Sequence, residues 1–159
     1  MAELREALAG AGFQDVQTYL QSGNVVLESD ARPDKLEAAL EAVISERFAI
    51  EVPVIVRTDD ELRAVVEHNP LAAVAEDPKR YQVTFLEHEL DQERLRGLEA
   101  LAVPSERLAA RGREVYAWHP AGVARSRLWA GLAGDKLGVK ATARNWTTVT
   151  SLLAMIRDE

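Results

Sequence analysis

The chain has no cysteine, and that absence removes disulfides, thiolate nucleophiles and zinc–thiolate sites together. Histidine is scarce as well: His68, His88 and His119 are the three in 159 residues. They stand far apart, and none has a partner at metal-ligand spacing, so no metal site is expected. Glu87-His88-Glu89 looks like a cluster, but neighbours in an extended segment point to opposite faces, which reads as a solvated strand end. No stretch reaches the roughly 18 continuous apolar residues of a membrane helix. The first residues lack the charged-then-apolar layout of a secretory signal. There is no glycine-rich nucleotide fingerprint and no nucleophile–base motif. The expectation is a soluble, cytoplasmic protein without a cofactor or a membrane partner.

What is present is an ample apolar fraction, 47% of 159 residues, enough for one compact unit built from two small halves. Its charge is uneven. Residues 1–105 hold 10 Lys/Arg against 21 Asp/Glu, whereas residues 106–144 hold 8 against 3. The formal charge of −7 argues against a general nucleic-acid coat, so any basic surface belongs to the second half.

Periodicity orders the elements. Leu4, Ala7, Leu8 and Ala11 recur at helical spacing and stop at Gly10 and Gly12. Val16 to Leu20 and Val25 to Glu28 read as strands joined by a Gln21-Ser22-Gly23-Asn24 turn. Leu36, Leu40, Val43, Ile44 and Phe48 mark a long helix opened by Pro33. Val52 to Val56 reads as a strand. Thr58-Asp59-Asp60-Glu61 reads as a capping box for a helix carrying Leu62, Val65 and Val66. After a loop, Tyr81 to Leu86 is a strand, Leu95, Leu98 and Leu101 a helix, and Arg107 to Ala110 with Glu114 to Trp118 a hairpin. Ser126 to Leu132 and the Val149, Leu152, Leu153, Ile156 stripe are two more helices. The second half, 71–159, thus reads β-α-β-β-α-α. The first, 1–70, reads α-β-β-α-β-α, a split β-α-β order without its opening strand. The fold class is α+β, two ferredoxin-like halves.

Four segments also carry a family resemblance: Met1-Ala2-Glu3-Leu4-Arg5, Gly12-Phe13, Val16 to Val26 with its Gln-Ser-Gly-Asn, and Ala141 to Val149 with Arg144-Asn145-Trp146. They resemble the bacterial family called domain of unknown function 1697. The resemblance spans essentially the whole chain and implies the same pair of ferredoxin-like halves, without an assigned activity. It also implies an opening strand and a basic, glycine-rich loop ahead of Met1, which this sequence lacks. Two accounts stand open, a start at an internal methionine or a smaller first half. In a ferredoxin-like first half, Val16 to Leu20, Val25 to Glu28 and Val52 to Val56 are expected to surround a vacancy, or to be closed up by another strand or another chain, with strand edges through which the chain could self-associate.

The richest polar segment is Thr142, Arg144, Asn145 and Thr147, read here as the start of the final helix. Helix starts gather N–H donors and a positive dipole end, and Arg144 adds a guanidinium that a simple cap does not need. Ser126 and Arg127, and the turn residues Ser22 and Asn24, are candidate contributors. Arg125, Lys136, Lys140 and Arg57 are weaker ones. Against this stands the plain alternative of a capped helix, a surface ion pair and a core Trp146. Three classes of function follow. A binding module for a small phosphate- or carboxylate-bearing ligand leads, ahead of an enzyme acting on an anionic metabolite. A nucleic-acid or protein interaction domain comes third, with Tyr19, Phe85, Tyr116 and Trp118 as candidate stacking rings.

Overall fold

The structure, a computed structural model, describes residues 2–19, 23–133 and 137–157, with residue 157 described by its backbone alone. It is an α+β protein whose elements run α1 (Ala2–Gly10), β1 (Gln14–Tyr19), β2 (Asn24–Glu28), α2 (Pro33–Phe48), α3 (Asp59–His68), β3 (Tyr81–Leu86), α4 (Gln92–Leu101), β4 (Arg107–Arg111), β5 (Glu114–Trp118), α5 (Arg127–Leu132), β6 (Ala141–Asn145) and α6 (Trp146–Arg157). Two compact units form, residues 61–151 and residues 1–60 with 152–159, so α3 lies mostly in the larger unit rather than with the first 70 residues.

The larger unit is a four-stranded antiparallel sheet in the order β4-β5-β3-β6. Its sequence order, β-α-β-β-α-β, is compatible with a ferredoxin-like split β-α-β arrangement. All six residues of β3 are buried, because β3 is an inner strand covered on both faces. Leu86, Val115 and Ala117 point to one face, where Leu98 of α4 and Leu128 and Leu132 of α5 complete a core. Tyr81, Val83 and Tyr116 point to the other, as the period of two requires. There the Tyr81 ring lies 4.9 Å from Trp146. Tyr116 donates its hydroxyl to the Val65 carbonyl at 2.9 Å, and Tyr81 donates to Asn69 Oδ1 at 2.7 Å, which fixes the end of α3 over that face. Burial pushes both phenols up, Tyr116 to about 12.

In the larger unit one element differs from the sequence reading. Ala141 to Asn145 is a strand, not the start of a helix. Propensity gives little reason for it, since Ala, Arg and Asn are poor strand formers. The cause is tertiary: β3 has a second edge to pair, and Ala141 facing the helix-covered core fits the slot.

The smaller unit packs α1 and α2 on the β1–β2 hairpin around Leu8, Leu36 and Leu40. Val52 to Val56, read from sequence as a strand, has no strand pairing among the described residues. Val54 and Val56 still reach the same core. Their amides are satisfied by α2, Val54 N–H donating to Glu41 Oε2 at 3.3 Å and Val56 N–H to Glu37 Oε1 at 3.1 Å. The match is geometric. Two residues of extended chain advance about 6.6 Å, and four residues of helix advance about 6 Å, so carboxylates at i and i+4 meet alternate amides. Replacing both carboxylates, Glu37→Ala with Glu41→Ala, is expected to speed hydrogen exchange at the Val54 and Val56 amides at least tenfold while β3 amides stay protected; unchanged exchange at 54 and 56 would refute this role.

Candidate functional site

The sequence candidates separate in space. Thr142 and Arg144 share a face of β6, two residues apart, and the fold brings them together: Arg144 NH1 donates to Thr142 Oγ1 at 2.6 Å and to the Ala143 carbonyl at 2.8 Å. Arg144 is half-buried, and desolvation pushes its guanidinium below its ordinary pKa. Both of these acceptors are neutral groups, and together they orient the guanidinium. Asn145 ends the strand and caps α6, accepting from the Thr148 amide at 2.9 Å. Thr147 lies in the first turn of α6, where its carbonyl accepts from Thr150 Oγ1 at 3.1 Å. The helix start is therefore real but begins at Trp146, and the arginine approaches it from a strand. These four residues form one locality of strand end and helix start.

Ser126 and Arg127 belong elsewhere. Ser126 caps α5, accepting from the Trp129 amide at 3.0 Å, and its hydroxyl donates to Glu106 just before β4. Three strand spacings, about 14 Å, separate the β4 and β6 backbones. Arg127 and Arg125 are exposed at the start of α5. Asn24 is buried in the smaller unit, where its side-chain amide donates to the Tyr19 carbonyl at 3.2 Å. Ser22 and Lys136 lie outside the described residues. Phe85, Tyr116 and Trp118 are buried and serve the core rather than a stacking platform.

The sequence reading missed a second polar cluster. Glu106 and His119 are buried, the latter completely. Glu106 Oε2 lies 2.8 Å from His119 Nδ1 and 2.5 Å from Ser126 Oγ, and Oε1 accepts from the Val103 amide at 3.2 Å. His119 Nδ1–H is the donor that this network requires. Burial raises the Glu106 pKa, but hydrogen bonds from Ser126, His119 and Val103 together with the His119 charge outweigh it, and the carboxyl sits below its usual range. A Ser-His-Glu set suggests acyl chemistry, yet the geometry is wrong for it. A triad places nucleophile and carboxylate on opposite ring nitrogens, whereas here both address Nδ1. His119 Nε2 is buried without a partner among the described residues. The cluster holds together the segments before β4, after β5 and before α5. No spacing of 106, 119 and 126 in the sequence announces it.

An open groove of about 420 Å³ lies at the opposite end of the sheet, between Glu61 of α3, His88-Glu89 and the Arg113-Glu114 end of the β4–β5 turn. Glu61 and Arg113 pair across it at 2.5 Å. Its three carboxylates make it a poor place for an anion. His88 is 74% exposed in its side chain, as expected of a strand end. Among the described residues no group of His, Asp or Glu is arranged to hold a metal ion, and no helix is long and apolar enough to cross a membrane.

The fold and this site define an α+β protein with a cationic strand end and no assembled catalytic set among the described residues. The chain belongs to the protein family of unknown function DUF1697, whose family model matches residues 1–116. That match ends before β6, so it does not cover the Arg144 locality. No curated protein matches the chain. Among solved structures it is similar to a conserved bacterial protein of Streptococcus pneumoniae, with a TM-score of 0.73 and 23% identity over 98% of this chain and 87% of that one. At that identity the likeness shows the fold.

The Glu106 shift has a direction that can be tested. A folded-state pKa below the unfolded one means stability that is present above about pH 4.3 and is lost as pH falls through the folded value. Glu106→Gln is expected to lower stability at pH 7 by about 1–3 kcal/mol and to flatten the acid limb of a denaturation series between pH 5 and pH 3; an acid limb unchanged from the wild type would count against the network.

Proposed function

We propose that this protein is a binding module for a small anionic ligand, a phosphate or carboxylate, held where β6 meets α6. The observation that carries this reading is the half-buried Arg144 guanidinium, fixed by the neutral acceptors Thr142 and Ala143 beside a helix start. A cation in a partly desolvated position attracts an anion more strongly than one in bulk water, and the α6 dipole adds to the same field. Arg144 supplies charge-assisted donors, Thr142 orients them, and Asn145 with Thr147 shapes the helix start. Ser126 and Arg127 take no part in this version of the site. The alternative of an enzyme acting on an anionic metabolite has less support, since the Glu106–His119–Ser126 geometry offers no base to a nucleophile.

Inorganic phosphate, citrate and short dicarboxylates, titrated by calorimetry and thermal shift, test the reading. At least one is expected to bind the wild type. Arg144→Ala is expected to weaken that binding more than tenfold while shifting the melting temperature by only a few degrees. If no anion binds or stabilises the wild type, the site does not exist. If Arg144→Ala melts early with ligand affinity intact, Arg144 is structural only.

A further inference from the structure

The hydrogen-bond phase of the sheet shows which backbone groups of β6 face away from it. Glu87 N–H donates to the Lys140 carbonyl at 2.9 Å. In an antiparallel ladder bonded pairs alternate, so with Phe85 opposite Thr142 and Val83 opposite Arg144, residues 142 and 144 bond to β3. The N–H and C=O groups of Ala141, Ala143 and Asn145 then point outward, along an edge that no other strand pairs among the described residues. The same phase holds on the other side of β3, where Leu86 N–H donates to Arg113 O and His119 N–H to Arg80 O. The middle outward carbonyl, that of Ala143, is the one taken by Arg144 NH1 at 2.8 Å, with Thr142 Oγ1 holding the same nitrogen at 2.6 Å.

We infer that Arg144 is a guard on the β6 edge, withholding it from antiparallel pairing with β6 of a second copy of this chain. Exposed strand edges invite such pairing unless charge, proline or a covering group blocks them. The opposite edge strand, β4, carries Arg107 and Arg111 at its two ends. β6 carries one charged residue, Arg144, folded back onto its own backbone. The second copy is the occupant because the edge is self-complementary. A two-fold axis at Ala143 sets Ala143 against Ala143, Ala141 against Asn145 and Thr142 against Arg144, so no like charges meet. The Thr–Arg match is one this strand already makes within itself. The outward groups of 141, 143 and 145 fall into the bonded positions of that register. Removing the guanidinium frees the central carbonyl and the edge.

This inference does not rest on anion binding, and its readout is mass. Sedimentation velocity from 1 to 100 µM would be run on the wild type, Arg144→Ala, Thr142→Val, Ala143→Pro and the double variant Arg144→Ala with Ala143→Pro. The wild type is expected to be monomeric, Arg144→Ala to dimerise at least tenfold more tightly, and Thr142→Val, which keeps the charge but loses its anchor, to fall between. The proline removes an N–H that faces away from β3, so the ladder within the chain survives while the edge is closed; the double variant is expected to return to monomer. A monomeric, folded Arg144→Ala overturns the inference. So does a double variant that associates as strongly as the single one, or a wild-type dimer that Ala143→Pro dissolves. If Arg144→Ala fails to fold, Thr142→Val decides: self-association supports the guard and a strict monomer overturns it.

Discussion

Burial of β3 on both faces is the constraint from which the rest of the larger unit follows. A strand with six buried residues cannot leave either backbone edge or either face unsatisfied. The even residues of β3 bond to β5 and the odd ones to β6, so two neighbours are needed whatever their own propensities. On one face Tyr81 meets the Tyr116 and Trp146 rings, and on the other Leu86 joins the Leu98–Leu128–Leu132 core. Apolar burial on this scale, at about 25 cal/mol per Å², outweighs the few tenths of a kcal/mol by which Ala or Arg disfavour a strand. Hence a weak sequence, Ala-Thr-Ala-Arg-Asn, becomes β6.

That balance explains what was legible in the sequence. Helices and strands with strong apolar period were readable: α2 from Leu36 and Leu40, β3 from the alternation of Tyr81, Val83 and Phe85 with Gln82 and Thr84, the β4–β5 hairpin from Arg111-Gly112-Arg113. The α+β class followed from their order. β6 was not readable, because its period is set by a partner 60 residues away rather than by its own side chains. Val52 to Val56 misled for the converse reason. Its residues suit a strand, but the satisfaction of its amides comes from Glu37 and Glu41 on a helix, and carboxylates on a helix face look like ordinary solvated charge.

The candidate site divides in the same way. Its chemistry was visible, since an arginine flanked by hydroxyls and an amide is unusual for a bare cap. Its geometry was not, because reading Thr142 and Arg144 as helical turns them around a cylinder, whereas a strand sets them on one face two residues apart. Ser126 shows the cost of judging by residue type. Its hydroxyl and the charge of Arg127 suggested an anion site, but Glu106, a carboxylate 20 residues earlier, takes the hydroxyl instead.

The two polar localities also differ in what their burial permits. In the Glu106–His119–Ser126 cluster a carboxylate is surrounded by donors within one tight network, so its charge is compensated where it sits, and removing any one member leaves another buried group unsatisfied. Around Arg144 a hydroxyl and a backbone carbonyl, both neutral, orient the guanidinium. Compensated charge of the first kind holds three chain segments in place. In the reading proposed above, the Arg144 guanidinium attracts an anion through its partly desolvated charge and closes the β6 edge through its hold on the Ala143 carbonyl, so one side chain serves both recognition and the protection of β6.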